Sequence, residues 1–191
     1  MLYFITSNKP KIIHARLTLD KYNIPLKTQE LPIIEIQSDQ ITDIALDKAN
    51  KAFEIIKQPL LVKDDGWYIS DLKGFPGPYM KYVNTWFTTE DFIKLLSGRQ
   101  NREVIFREAV CYKDNSTTKI FLNKIKGQFL DQPAGHSFPF SALVTFRGDK
   151  KTIAQCDNEK IPFGEKSVWD DFAVWYKTYH TALSEKSVLQ P

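Results

Sequence analysis

Cysteine and histidine are scarce in this chain of 191 residues. Only two cysteines occur, Cys111 and Cys156, and no apolar leader segment with a cleavage pattern opens the sequence. This pattern predicts a reduced, cytoplasmic setting. The three histidines are far apart and lack metal-ligand spacing. A zinc site is therefore not expected.

Excess charge and long apolar runs are missing as well. The formal net charge is only +3, and no stripe of Lys and Arg alternates with aromatic residues, so a nucleic-acid partner is not expected. No apolar run approaches the roughly 20 residues that a membrane-crossing helix needs, so a membrane location is not expected either. Without repeats or linkers, the chain is predicted to form one domain over residues 1–191.

The first strand-to-helix turn is a candidate phosphate site. Leu2–Ile5 is an apolar run that predicts a strand, and a helix is expected to follow it. Ser7 or Asn8 suits the N-cap of that helix, and Pro10 suits its first turn. The free N–H groups of a helix N-terminus beside Lys11 can bind phosphate.

The centre of the chain joins a strand, an acidic segment and a loop. Leu60–Val62 lacks polar alternation and predicts a strand buried on both faces. Asp64-Asp65-Gly66 is predicted to be a turn at the carboxyl end of that strand, where ligands of α/β sheets usually bind. Because strand side chains alternate, only one of the two aspartates is expected to face the site. A second strand over Trp67–Leu72 and a rigid loop over Gly74–Tyr79 should follow. The alternative is that the turn and the loop are ordinary connectors.

The remaining pattern predicts helices and strands in mixed order. Ile41–Ile56 is an amphipathic helix that places Lys48 beside its apolar face. Lys48 is therefore either a lysine that covers the rim of the core or a phosphate ligand. Further strands are expected over residues 26–31, 103–112, 118–122 and 142–146, and helices over 88–96 and 167–178.

Several motifs stand in the order found in the inosine triphosphate pyrophosphatase (XTP/dITP diphosphatase) family, which this chain resembles over about residues 1–175. The motifs are Phe4–Asn8 with Lys11, Glu35-Ile36-Gln37, Lys48, Val62–Gly66, Gly74–Tyr79 and Glu165-Lys166. The resemblance implies a mixed α/β fold with an elongated sheet flanked by helices, a cleft between two lobes, and a homodimer. It also implies Mg²⁺-dependent hydrolysis of a nucleoside triphosphate to the monophosphate and pyrophosphate, which removes deaminated purine nucleotides from the nucleotide pool.

The resemblance also implies roles for individual residues. Asp64 takes the place of the proton acceptor, and Glu35 and Asp64 would bind Mg²⁺. Such a site suits a triphosphate, whose cleavage needs cations, fixed donors and a positioned water. The residues expected to contact the substrate are Ser7, Asn8, Lys11, Lys48, Asp65, Phe140, Ser141, Lys166, Asp170 and Asp171.

Three positions depart from the family pattern. Lys63 stands where the family usually has a carboxylate, which argues against a second Mg²⁺. Phe138–Ala142 replaces a Phe-Gly-Trp-Asp-Pro motif, although Phe140 could still stack on a base. Asp170-Asp171-Phe172 replaces a Ser-His-Arg triplet, and acceptors there would disfavour a 6-keto base. Alternatively, the two aspartates are first-turn acids that favour a helix dipole.

The sequence is consistent with two functions. The first is a nucleoside triphosphate pyrophosphatase with altered base selectivity. The second is a nucleotide-binding or interaction protein that kept the fold and lost turnover, an alternative that Lys63 and the changed base-reading segments motivate. The joint presence of Glu35, Asp64 and three lysines favours the enzyme, because a retired site needs neither metal ligands nor cations.

Overall fold

The fold is described from a computed structural model. It describes residues 1–146, 148, 150–159, 161 and 167–188, with side chains up to residue 181. Within these ranges, none of the helices is both long and apolar enough to cross a membrane.

A seven-stranded mixed sheet forms the centre of the molecule. Its strands are β1 (Leu2–Ile5), β2 (Leu26–Gln29), β3 (Leu60–Ile69), β4 (Pro76–Gly77), β5 (Glu103–Lys113), β6 (Thr118–Phe129) and β7 (Val144–Thr145). The order is β2-β1-β3-β5-β6-β7, and β4 pairs with β3. β1 is parallel to β2 and β3, whereas the remaining pairs are antiparallel. The predicted mixed α/β class is confirmed.

Six α-helices flank the sheet in the described residues. They are α1 (Lys9–Leu19), α2 (Ile41–Ile56), α3 (Met80–Trp86), α4 (Thr89–Leu95), α5 (Ile153–Glu159) and α6 (Val168–Val188), with 3-10 turns at Asp20–Tyr22 and Ser70–Leu72. α2 has the bounds that its amphipathic pattern predicts. The sequence did not reveal α3 and α5, because seven residues are too few for a helical period to stand out.

Hydrophobic clusters cover both faces of the sheet. One face carries two of them: the first joins α1 and α6 to the sheet, and the second packs α3, α4 and α5 at the other end. A third cluster packs α2 against the opposite face. Trp169 and Phe172 lie in the first cluster, so the helix predicted over residues 167–178 packs into the core. Between the first two clusters, a polar row of Asp65, Glu108 and Asn123 crosses three strands in register.

The acidic segment Asp64-Asp65-Gly66 does not form the predicted turn. It lies inside β3, which runs unbroken over Leu60–Ile69 and pairs with β5 along its whole length. The antiparallel partner gives the polar residues their ladder hydrogen bonds, and this partner cannot be read from the local pattern. Gly66 serves close packing, since a Cβ there would lie 2.8 Å from the Tyr68 ring.

Candidate active site

The turn between β1 and α1 places a lysine beside the two aspartates of β3. Asn8 is the N-cap of α1, and its Oδ1 accepts a hydrogen bond from the backbone N–H of Lys11 at 3.0 Å. Ser7, the other candidate cap, is exposed in the same turn. Lys11 then reaches across to β3, where its Nζ donates to the carbonyl oxygen of Lys63 at 3.2 Å.

Lys11 contacts both aspartates of the acidic segment. Its Nζ lies 3.6 Å from Asp64 Oδ1 and 3.2 Å from Asp65 Oδ2. The sequence predicted that only one aspartate would face the site. Both are within reach because β1 pairs with β3 only at Leu60 and Leu61. Between Leu61 and Trp67, where β4 begins to pair, this edge of β3 has no neighbouring strand, so one ammonium group can approach side chains from both faces.

The two aspartates differ in proton affinity. Burial raises the pKa of Asp64 to about 6, and the charges of Asp65 and Glu35 add to this while Lys11 opposes it. Burial acts on Asp65 in the same direction, but Lys11 and Lys63 outweigh it and the pKa of Asp65 is lowered. For Lys11, burial is outweighed by Asp65 and Asp64, so its pKa is raised. Asp64 is therefore the better proton acceptor near neutral pH.

This difference predicts opposite effects of two neighbouring substitutions on stability. The pKa of Asp64 is higher in the folded than in the unfolded protein, so ionised Asp64 destabilises the fold. This destabilisation is complete above about pH 6 and absent below about pH 4. Asp64→Asn should therefore raise the Tm of the metal-free protein at pH 8 by about 3 °C or more, with a smaller gain at pH 5.

Asp65→Asn is the matched control for that measurement. The lowered pKa of Asp65 means that its ionised form stabilises the fold at neutral pH, and that this contribution is lost as the pH falls through the folded pKa. Asp65→Asn should therefore lower the Tm at pH 8. Differential scanning calorimetry in EDTA compares the two variants, and shifts of the same sign at pH 8 would contradict the assignment.

Glu35 and Lys48 form the second part of the site. Lys48 Nζ, on α2, donates to Glu35 Oε1. Burial acts to raise the pKa of Glu35, but Lys48, Lys11 and Lys81 outweigh it and the pKa is lowered. Lys48 is thus paired with the predicted metal ligand, and Glu35 and Asp64 act on each other electrostatically. Lys81 was missed from the sequence, where its position two residues after the Gly74–Tyr79 loop was the available signal.

Lys63 forms a buried charge pair on the face of β3 that also carries Asp65. Its Nζ lies 2.6 Å from Glu108 Oε1 and 3.5 Å from Asp65 Oδ2, and its side chain is 3% exposed. Asn123 Nδ2 donates to Glu108 Oε2 at 3.1 Å. The position that departs from the family pattern is therefore occupied by a cation with two carboxylate partners.

Comparison with known proteins identifies the family. The model of the Ham1 family matches residues 2–161. The chain belongs to the Ham1 family. It is 34% identical over 179 residues to the dITP/XTP pyrophosphatase of Methanopyrus kandleri, covering 91% of this chain and 95% of that protein. It is 32% identical over 157 residues to the dITP/XTP pyrophosphatase of Saccharolobus solfataricus, covering 82% of each. These matches confirm the resemblance that the motifs indicated.

Solved Ham1 structures share the fold. The Ham1 protein of Coxiella burnetii superposes with a TM-score of 0.77 at 18% identity, covering 93% of this chain and 100% of the other. The Ham1 protein of Staphylococcus aureus gives a TM-score of 0.74 at 17% identity, covering 94% and 100%. At these identities the likeness concerns the fold.

The predicted base-side residues of this Ham1 chain do not all reach the carboxylates. Phe140 is 1% exposed and packs against Trp67, Phe92 and Phe129 in the second hydrophobic cluster. It offers no free ring face in this conformation, whereas Phe138 is 61% exposed. The backbone of Ser141 connects this segment to α5, because its carbonyl oxygen accepts from the N–H of Ala154 at 3.0 Å.

The start of α6 holds the remaining candidates. Asp170 Oδ2 accepts from the backbone N–H and from the hydroxyl of Ser167, each at 3.0 Å. This is the first-turn role that the sequence left open for Asp170. Asp171 is exposed, whereas Phe172 is buried in the first cluster. Lys166 lies outside the described residues.

A pocket of about 690 Å³ lies at the part of β3 that follows Gly66. It is lined by Tyr68, Arg107 and the Gly74–Tyr79 loop, and the Arg107 guanidinium lies 4.3 Å from the centre of the Tyr68 ring. Neither Tyr68 nor Arg107 was singled out from the sequence. Because neither Asp64 nor Asp65 lines this pocket, the ion pairs of Lys11 remain the centre of the Ham1 site.

Proposed function

We propose that this protein hydrolyses a nucleoside triphosphate to the monophosphate and pyrophosphate. The observation that carries the proposal is the placement of Lys11 between Asp64 and Asp65, with Glu35 and Lys48 acting on the same site. The names of the relatives, dITP/XTP pyrophosphatases, support this reaction.

The residues suit cleavage next to the α-phosphorus. Asp64, with a pKa of about 6, accepts the proton of the attacking water. Lys11 and Lys48 balance the negative charge of the phosphates, and Lys81 adds a third cation. The side-chain amide of Asn8 and the backbone N–H of Lys9 provide neutral donors, because the N–H groups of Lys11 and Ile12 are bonded to Asn8.

Mg²⁺ fits the donor set of this site. Among the described residues, no group of three His, Cys, Asp or Glu side chains could hold a metal. Mg²⁺ does not require such a group, because it is commonly bound by one or two carboxylates together with water and substrate phosphates. Glu35 and Asp64 supply the two carboxylates, and their mutual repulsion favours a cation between them. When bound, Mg²⁺ would neutralise phosphate charge.

Base selectivity is proposed to differ from that of the relatives. At the positions of the family's Ser-His-Arg triplet, Asp170 accepts two hydrogen bonds from Ser167 and Phe172 lies in the core. Donors for a 6-keto oxygen are therefore not supplied by these two residues. Asp171, Ser141 and Lys166 stay predicted substrate contacts. A homodimer stays a prediction from the resemblance, and a cytoplasmic setting stays a prediction from the composition.

The test is a panel of purine and pyrimidine nucleoside triphosphates, including dITP and XTP, incubated with the protein and Mg²⁺. Pyrophosphate and orthophosphate are measured separately. We expect pyrophosphate in equal amount to the monophosphate, no orthophosphate, and no reaction in EDTA. Nucleotide binding without release of pyrophosphate from any member of the panel would favour the non-catalytic alternative.

A further inference from the structure

Lys63 places an ammonium group inside the protein, directly beside the candidate active site. A buried charge is costly unless it is paired. Glu108, with its Oε1 2.6 Å from Lys63 Nζ, already provides a partner. The second contact, with Asp65, is therefore not needed to compensate Lys63 and points to a different role.

One oxygen of Asp65 is shared by two ammonium groups. Asp65 Oδ2 lies 3.2 Å from Lys11 Nζ and 3.5 Å from Lys63 Nζ. The two lysines differ in access, because the side chain of Lys11 is 18% exposed and that of Lys63 is 3% exposed. A ligand arriving from solvent can engage Lys11, whereas Lys63 stays where it is.

We propose that Lys63 is a positioning residue that compensates the charge of Asp65 when a triphosphate draws Lys11 away. The proposal rests on the proposed function, which assigns Lys11 to the phosphates. Lys11 contacts Asp64 and Asp65, so its transfer to a phosphate oxygen removes a cation from both. Asp65 keeps Lys63, and Lys11 is therefore released at a smaller electrostatic cost.

Glu108 fixes Lys63 in the position that this role requires. Glu108 stands opposite Asp65 on β5, and Asn123 stands opposite Glu108 on β6. Asn123 Nδ2 donates to Glu108 Oε2, which leaves Oε1 for Lys63. Glu108 thus holds Lys63 from the neighbouring strand, Asn123 holds Glu108 from the next one, and Lys63 cannot follow Lys11 toward the substrate.

The double substitution Lys63→Met/Glu108→Gln tests the proposal, because it removes both charges and leaves neither buried alone. With Lys63 absent, a phosphate must compete with Asp65 for Lys11. We expect the affinity for inorganic tripolyphosphate, measured by calorimetry at fixed Mg²⁺, to fall about tenfold or more. KM for the triphosphate should rise by a similar factor, while kcat changes less than about threefold.

Two further variants separate this role from a structural one. Lys126→Met/Glu103→Gln removes a different inter-strand ion pair, in which Lys126 Nζ on β6 lies 2.9 Å from Glu103 Oε2 on β5. This variant should leave the affinity for tripolyphosphate unchanged. Adding Asp65→Asn to the double variant should restore the affinity to within about threefold, because the charge of Asp65 then no longer competes for Lys11.

The proposal is overturned if the double variant binds tripolyphosphate like the parent, if Asp65→Asn does not restore the affinity, or if the parent does not bind tripolyphosphate. This binding measurement decides the role of Lys63 whether or not nucleotides are hydrolysed. A parent that binds tripolyphosphate normally and releases no pyrophosphate from any nucleoside triphosphate would contradict the proposed function alone.

Discussion

Asp64→Asn should lower kcat for pyrophosphate release by at least about a thousandfold, because it removes the proposed proton acceptor and a proposed metal ligand together. The amide has nearly the shape of the carboxylate but cannot take a proton from water. Burial brings the pKa of Asp64 to about 6, close enough to neutral pH for a general base. Steady-state pyrophosphate release at saturating triphosphate measures the effect.

Asp131→Asn provides a matched control for Asp64→Asn. Asp131 is an exposed carboxylate paired with Arg102 at 2.7 Å, away from the aspartates of β3. Its substitution should change kcat less than about twofold. If Asp64→Asn kept more than about a tenth of the parental kcat, the proton acceptor would have to be another group, and Asp65 and Glu35 would be the nearest candidates.

Lys11→Met should raise KM for the triphosphate about a hundredfold, because a charge-assisted contact to phosphate is lost at the centre of the site. Metal-free Lys11→Met should also be less stable, since Asp64 and Asp65 would lose their shared cation. Initial-rate kinetics over a wide range of substrate concentration measures KM and kcat separately.

Lys21→Met is the control for the loss of one positive charge. Lys21 is exposed in the 3-10 turn after α1, and its substitution should change KM less than about twofold. Lys11→Arg keeps the charge but not the shape of the ammonium group, so an intermediate KM is expected. An unchanged KM in Lys11→Met would show that Lys11 does not bind phosphate.

The sequence predicted those parts of the fold that depend on local pattern. α2 has its predicted bounds, and α4 lies within its predicted range, where Thr88 and Asp91 form a capping box. β5 and β6 also form where strands were expected, and they pair as a hairpin. In each case residues within a few positions of one another specify the element.

Features that depend on distant residues could not be predicted in this way. β3 continues through its acidic segment because β5, about forty residues later, supplies the partner strand. The contact of Lys63 with Glu108 crosses the same pair of strands. Phe140 was expected to be available for a base, but it lies in a cluster assembled from α3, α4 and the far end of the sheet.

The candidate site likewise has residues that local motifs reveal and contacts that only the folded chain creates. Asn8, Lys11 and Asp64 could be named from motifs, because a strand-to-helix turn and an acidic pair after an apolar run leave local signatures. The sharing of one Asp65 oxygen by two lysines could not, because it depends on where β1 stops relative to β3. Lys81 was missed for a similar reason, since its effect on Glu35 arises only in the folded chain.

Hydrolysis in ¹⁸O-enriched water tests the central claim most directly. The protein is incubated with Mg²⁺ and the triphosphate that it prefers, and the products are analysed by mass spectrometry. Attack of water on the α-phosphorus predicts one ¹⁸O atom in the nucleoside monophosphate and none in pyrophosphate. Label in pyrophosphate, or release of labelled orthophosphate, would show attack at a different phosphorus and contradict the proposed reaction.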